Sequence, residues 1–299
     1  MKIGACVITY NPDFSVLRKG IESLQHQVKR IIIVDNGSVE INELRLFCEN
    51  FLSVELISLK ENKGIAFATN VALREFLERD YDFVLISDQD SNYPDNYVKN
   101  FKDNLAVLHD GNIAAFVPVF FDENENDYAK IIIKSRLFMR KVCATEEFTD
   151  VFHAIASGMI ICLALLRNIG MMNEDLFIDW VDLEWCWKVH YYNKRIVCCK
   201  NLTIHHKLGD SAKNLGYRTV SIRSWIRNYY ITRNSFYLAL YTKYLGRLEK
   251  FILFFKSFRY IVGYTILCDA HIKNFYYTLK GMHDGIHKKM GKIKVTGKS

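Results

Sequence analysis

The chain has 299 residues, 50% of them hydrophobic, enough to bury a sizeable core and to build one large domain or a domain with a helical appendage. Its eight cysteines form no CxxC pair, and Cys6, Cys162, Cys198 and Cys199 lie inside apolar runs as reduced thiols do, which weighs against a zinc or disulfide framework and favours a reducing, cytoplasmic location. Charge is divided unevenly: residues 201–299 hold 18 Lys or Arg against 4 Asp or Glu, whereas the first 200 hold 22 against 29.

The opening apolar run, Ile3–Thr9, is too short for the core of a signal peptide and reads as a first strand. Further strands are expected at Arg30–Val34, Val54–Ser58, Phe83–Ser87 and Ile113–Val117. Helical periodicity lies between them, at Phe14–Gln27, Ile41–Phe51, Ile65–Glu78 and Asp95–Leu108. Strands alternating with helices predict crossover units and an α/β fold with a mostly parallel central sheet flanked by helices. An acidic loop follows at 123–127, then strands at Lys130–Ser135 and Ala154–Cys162, and a helix at Val181–Asn193. Two short strands, Arg195–Cys199 and Leu202–His205, precede a helical, aromatic and basic region that begins at Ser221. The expected organisation is therefore a body over 1–220, divided near 120, and a C-terminal helical extension over 221–299.

Ligands of parallel sheets bind beyond the carboxyl ends of the strands. Here the first strand ends in "TYNP", the second in "DNGS", the third leads to "ENKG" and the fourth ends in "DQDS". Each is an ordinary turn composition taken alone. Four in succession, one of them carrying Asp88 and Asp90 at i and i+2 directly after a buried strand, point to a site. Two such carboxylates repel unless a cation sits beside them. Mg²⁺ or Mn²⁺ suits them, because these hard ions take one or two protein carboxylates and leave positions for water and phosphate.

The segments "CVITYNPD", "IIIVDNGS", "ENKGIAFATN" and "LISDQDS", in this order and spacing, resemble the nucleotide-sugar half of glycosyltransferase family 2, which has the GT-A fold. With "HHKLGD" and "RNYYITRN" the resemblance spans residues 1–235 and is strongest to bacterial rhamnosyltransferases of that family. It implies residues 1–120 as the nucleotide-sugar half and 121–220 as the acceptor side. It also implies that Thr9, Tyr10 and Asn11 line the nucleotide pocket and that Asp35, an acceptor-only group, receives a pyrimidine N–H, with Asn36 beside it. Gly64 would allow close backbone approach, Ala66 would leave room, and Asn70 would share its helical face. Asp88 would face the sugar or ribose, and Asp90 would hold the Mn²⁺ or Mg²⁺ that bridges the diphosphate. Of the two histidines at 205 and 206, His206 would add a ligand for metal or diphosphate.

Inverting glycosyl transfer also needs a group that takes the proton of the attacking hydroxyl. "FIDWVDLEWCWK" offers Asp179, Asp182 and Glu184, three acids that would also suit a helix N-terminus. Aligning Cys186, Trp187 and Lys188 with the end of the family's motif puts the base at Asp182, although Val181 stands where the family more often has an acid. Trp180 and Glu184 are implied on the acceptor side, and Arg227 and Arg233 near the diphosphate or an acidic carrier.

The resemblance thus implies a nucleotide-sugar donor, dTDP-rhamnose, and a saccharide acceptor carried on a polyprenyl diphosphate in bacterial surface polysaccharide (O-antigen) assembly. The alternatives are a UDP-hexose or a galactofuranosyl donor. The run 251–267, "FILFFKSFRYIVGYTIL", is broken by Lys256 and Arg259 and so is a poor membrane span. With its basic flanks it suits peripheral contact with an anionic membrane surface on the cytoplasmic side, or packing on the catalytic body. A nucleotidyltransferase would need a Gly-rich basic loop after the first strand, and "TYNPDFSVLRKG" is not one. A non-enzymatic polyanion binder would leave Asp35, Asp88, Asp90 and Asp182 without purpose, so nucleic acid is not an expected partner.

Overall fold

Seven consecutive buried residues make Ile3–Thr9 a central strand, and the run Ile31–Val34 is equally buried, so these strands are covered on both faces. Burial of each such Ile or Val contributes about 1.5–3 kcal/mol, which fixes the centre of the sheet. The structure, a computed structural model, describes residues 1–108, 110–122, 126–135, 139–206, 212–214, 219–221, 224–268 and 270–294, with backbone alone at 206, 212–214 and 219–221. Its contacts divide it into two units, residues 1–172 with 182–208, and residues 173–181 with 209–299.

The first unit begins with β1 (Ile3–Thr9), α1 (Phe14–Leu24), β2 (Arg30–Asp35), α2 (Ile41–Cys48), β3 (Val54–Ser58), α3 (Ile65–Glu78), β4 (Phe83–Asp88), α4 (Tyr97–Leu108) and β5 (Ile113–Asp122). Next come β6 (Asp127–Tyr128), β7 (Ile131–Lys134), β8 (Met139–Val142), β9 (Phe148–Asp150), β10 (Ile160–Cys162), α5 (Leu163–Ile169), α6 (Val181–Tyr191) and β11 (Arg195–His206). Among the described residues the central sheet has the order β3-β2-β1-β4-β10-β5-β11-β9, with β6 on β5. Pairing is parallel from β3 to β4 and between β5 and β11; β10 runs antiparallel between β4 and β5. Local sequence forms α1 as expected: Asp13 caps it by accepting from the Ser15 and Val16 N–H groups, and Leu17, Ile21 and Leu24 face the core. It stops at Leu24 rather than Gln27, because the Gln27 amide donates to Ser23 O and Pro94 O and accepts from Val98 N.

Besides shifts at the ends of other elements, two expected elements are rearranged. The strand over Ala154–Cys162 is reduced to Ile160–Cys162, because Gly158 adopts φ +76° and turns the chain. The two short strands after Arg195 are one strand, β11, with its register on β5 shifted between Cys198 and Thr203. Asn201, inside that shift, exchanges amide hydrogen bonds of 2.7 and 2.8 Å with Asn104 of α4.

The second unit contains the backbone pair β12 (Ala212–Asn214) and β13 (Thr219–Ser221), then α7 (Trp225–Tyr241), α8 (Arg247–Leu267) and α9 (His271–Ile286). Helix α7 is buried on nearly every side, including Asn228, Thr232, Arg233, Asn234 and Ser235. Gly281 and Gly285 let α9 approach it; a Cβ there would lie 2.6 Å from Tyr229 O and 2.3 Å from Arg233 O.

Candidate active site

The polar strand ends named above lie in one row. Thr9 is the register partner of Asp35, Asp35 of Ser58, and Asp88 of Ile8, next to Thr9. Their loops are tied together by side chains. Asp35 is fully buried and accepts from Thr9 Oγ1 (3.2 Å), Gly37 N (3.2 Å), Ser38 N (2.9 Å) and Ser38 Oγ. Its burial is therefore compensated by four donors.

Asn36 bridges the next loop. Its amide donates to Asn62 Oδ1 (3.1 Å) and accepts from Lys63 N (2.9 Å), while Gly64, at φ 92°, precedes α3. Asn11 N donates to Ser38 Oγ (2.7 Å), Asn11 Oδ1 accepts from Val39 N (3.0 Å), and Tyr10 N donates to Gln89 Oε1 (2.8 Å). Ala66 is fully buried on α3. Asn70, also buried, exchanges two hydrogen bonds with the Met172 backbone (2.9 and 3.0 Å), which ties α3 to the end of the 163–172 segment.

Asp88 and Asp90 are exposed at the end of β4. Burial pushes the Cys6 thiol up, and the charge of Asp88 pushes it further. The donor set, two hard carboxylates open to solvent, fits Mg²⁺ or Mn²⁺ completed by water and phosphate oxygens. Among the described residues no three His, Cys, Asp or Glu side chains are grouped to hold a metal. The backbone of His206 ends β11; its side chain lies outside the described residues. His205 is exposed with its ring 5.2 Å from that of Phe121.

The loop 154–159 joins the acidic turn to α6. Gly158 N donates to Ile86 O and Ile86 N to Met159 O, both at 2.8 Å, so the loop lies along β4. Ser157 Oγ is 2.8 Å from Ser91 Oγ, next to Asp90 in sequence. Ala156 N donates to Asp182 Oδ2 (3.1 Å). Asp182 stays half-buried at the N-terminus of α6, whereas Glu184 is buried. Burial, aided by the charges of Asp182 and Glu184, pushes the Cys186 thiol up to about 12, which keeps it a neutral core group at pH 7. A short run of contacts in the first unit therefore leads from Asp182 through Ala156 and Ser157 to Ser91 beside Asp90.

Gly158 is the least replaceable residue of that loop. A Cβ would lie 2.3 Å from Ile204 Cδ1 and 2.9 Å from Tyr97 Oη, which donates to Gly158 O. Gly158→Ala is expected to cost about 2–5 kcal/mol, combining a left-handed alanine with overpacking. A urea unfolding midpoint measures it; an unchanged midpoint would refute this account of the loop.

The remaining expected residues belong to the second unit. Trp180 Nε1 donates to Ile231 O (3.1 Å), and Arg227 pairs with Asp179 at 3.2 Å. Arg233 is fully buried, and desolvation lowers its pKa. Its guanidinium donates to Leu176 O (2.8 Å), Asp175 O (3.2 Å), Asn234 Oδ1 (2.9 Å) and Gly291 O, and stacks near Tyr230 at 4.9 Å. In this arrangement Arg233 organises the interior of its own unit, with every hydrogen bond named here spent on protein oxygens. The amide of Asn234 likewise holds Leu176, Ile178 and Asp179 carbonyls at 2.9–3.0 Å, across a segment where Phe177, Asp179 and Trp180 all have positive φ. Gln89, Ser91 and Ser157 thus carry connections that composition did not single out. Proximity to the polar strand ends was the available signal for the first two.

The profile described as glycosyl transferase family 2 matches residues 5–170, more than half of the chain. The chain belongs to glycosyltransferase family 2. This family 2 glycosyltransferase is 31% identical over 239 residues to the dTDP-rhamnosyl transferase RfbF of Shigella flexneri, covering 79% of each chain. In structure it is similar to residues 1–349 of Staphylococcus aureus TarS in complex with UDP-GlcNAc, with TM-score 0.60 and 16% identity over 96% of this chain and 82% of that one. It is also similar to the mannosyltransferase PcManGT of Pyrobaculum calidifontis in complex with GDP-Man and Mn²⁺, with TM-score 0.55 and 14% identity over 96% and 75%. At these identities the structural likenesses establish the GT-A fold, which the mostly parallel sheet with its inserted antiparallel β10 matches.

Proposed function

We propose that this glycosyltransferase transfers rhamnose from dTDP-rhamnose, with inversion, to a saccharide acceptor carried on a polyprenyl diphosphate at the cytoplasmic membrane surface, in surface polysaccharide assembly. The observation that carries the reading is the contact path from the exposed Asp88–Asp90 turn through Ser91, Ser157 and Ala156 to Asp182. The choice of donor rests on the likeness to a dTDP-rhamnosyl transferase over 79% of the chain.

In this reading the tied loops after β1, β2 and β3 hold the nucleotide. Thr9, Tyr10, Asn11, Asp35 and Asn36 form its edge, and Gly64, Ala66 and Asn70 form the α3 side. Asp88 faces the sugar or ribose. Asp90, with His206, would hold Mn²⁺ or Mg²⁺, which when bound neutralises charge on the leaving diphosphate. Asp182 accepts the proton of the acceptor hydroxyl as its oxygen bonds to the anomeric carbon and the bond to the diphosphate breaks. Ala156 N donates to its Oδ2 and ties the carboxylate to the 154–159 loop. Trp180 and Glu184 remain acceptor-side assignments and Arg227 one for the diphosphate or an acidic carrier, whereas the bonds made by Arg233 support a scaffolding role.

Calorimetric titration with dTDP, UDP and GDP, each with and without Mn²⁺, tests the donor. Metal-dependent binding selective for dTDP is expected. Selective UDP binding would keep the mechanism and overturn the donor, and binding of none would overturn the reading.

A further inference from the structure

Helix α8 divides its apolar residues between two faces. Leu253, Ser257 and Ile261 are buried, and Phe254 and Phe258 reach Phe236 of α7 at 5.5 and 5.1 Å between ring centroids. The opposite face carries Leu248, Phe251, Phe255, Val262 and Ile266, each 50–65% exposed, at spacings of three, four, seven and four residues. That spacing is a continuous helical stripe, and five large apolar side chains in one row are not an incidental surface. Beside it, Phe251, Ile252, Phe255, Lys256 and Arg259 line a shallow depression of about 360 Å³.

The charge around the stripe has one sign. Among the described residues of 243–294, the acids are Glu249 and Asp284. Glu249 accepts from Gly246 N at the start of α8, and Asp284 is 3% exposed, bonded to Tyr229 and Lys280. Lys243, Arg247, Lys256 and Arg259 are exposed. A second copy of the chain would set these like charges against each other across the stripe. An anionic surface complements them. No described helix is long and apolar enough to cross a membrane, so the stripe is suited to lie in an interface.

We infer that the outer face of α8 is a docking surface for an anionic lipid bilayer, with Phe251, Phe255 and Val262 entering the acyl boundary and Lys256 and Arg259 at the headgroup phosphates. The inference rests on the membrane part of the proposed function and is independent of the donor sugar. It assigns the contact to one helix face. Aromatic side chains tolerate that boundary well, and long basic side chains reach outward from it to phosphate.

The test is flotation of the full chain with phosphatidylcholine vesicles containing about one-third phosphatidylglycerol, at low and high salt. Binding is expected that weakens with salt and is lost on vesicles of phosphatidylcholine alone. Phe255→Glu with Val262→Glu should weaken it at least about tenfold, and Lys256→Gln with Arg259→Gln should remove most of its salt dependence. Unfolding midpoints of both variants, and their binding of dTDP, report whether the fold and nucleotide site persist. Wild-type binding that both folded variants retain would place the membrane contact elsewhere and overturn the inference while leaving the membrane reading intact. Failure of the wild type to bind would overturn both. A dimer in solution that both pairs of substitutions dissociate would assign the face to a second copy instead.

Discussion

Asp182→Asn is expected to lower the transfer rate about a thousandfold while leaving donor affinity within about twofold of wild type. The substitution removes the basic oxygen and keeps the shape and the hydrogen bond that the side chain accepts from Ala156 N. The loss should therefore appear in kcat and not in nucleotide binding, as expected for a group that acts in the transition state. The neighbouring acids separate cleanly. Glu184 is buried in the first unit and Asp179 is paired with Arg227, which leaves Asp182 as the acid of this motif that combines partial exposure with an oxygen directed at the 154–159 loop. Transfer at near the wild-type rate would move the base to Glu184, and Glu184→Gln would then be the deciding variant.

Asp90→Ala is expected to abolish the Mn²⁺-dependent part of dTDP binding, a loss of about 100-fold or about 3 kcal/mol in calorimetric titration. Removal of the divalent ion with a chelator should reduce wild-type affinity to the level of the variant, and the variant should be insensitive to the chelator. Because Asp90 is exposed, its loss creates no cavity, and the unfolding midpoint should stay close to wild type. An unchanged affinity in Mn²⁺ would exclude Asp90 as the metal ligand. The two variants together distinguish a defect in holding the donor from a defect in the chemical step.

Much of the first unit was legible because its signals are local. The runs Ile3–Thr9, Val54–Ser58 and Ile65–Glu78 have the bounds that apolar periodicity assigned, and the polar residues at the ends of β1 to β4 fall in one row once parallel register is imposed. Shortening of the Ala154–Cys162 strand was not legible. A Gly at 158 signals a possible turn, but the contacts with Ile204 and Tyr97 that require it come from residues 46 and 61 positions away. The bonds made by Arg233 and Asn234 were not legible for a related reason: α7 uses these buried polar groups to satisfy the carbonyls of residues 175–179, more than fifty positions away in the chain.

By itself the sequence determined the alternation of strands and helices, the carboxylates at the strand ends and the family, since each is written in short windows whose periodicity or residue order needs no partner. Tertiary structure alone decided the insertion of β10 between β4 and β5, the path from Asp90 to Asp182, and which face of α8 turns outward. Those features depend on pairing between residues far apart in the chain. A helix that is apolar on both faces carries no local mark of the side its neighbours will bury.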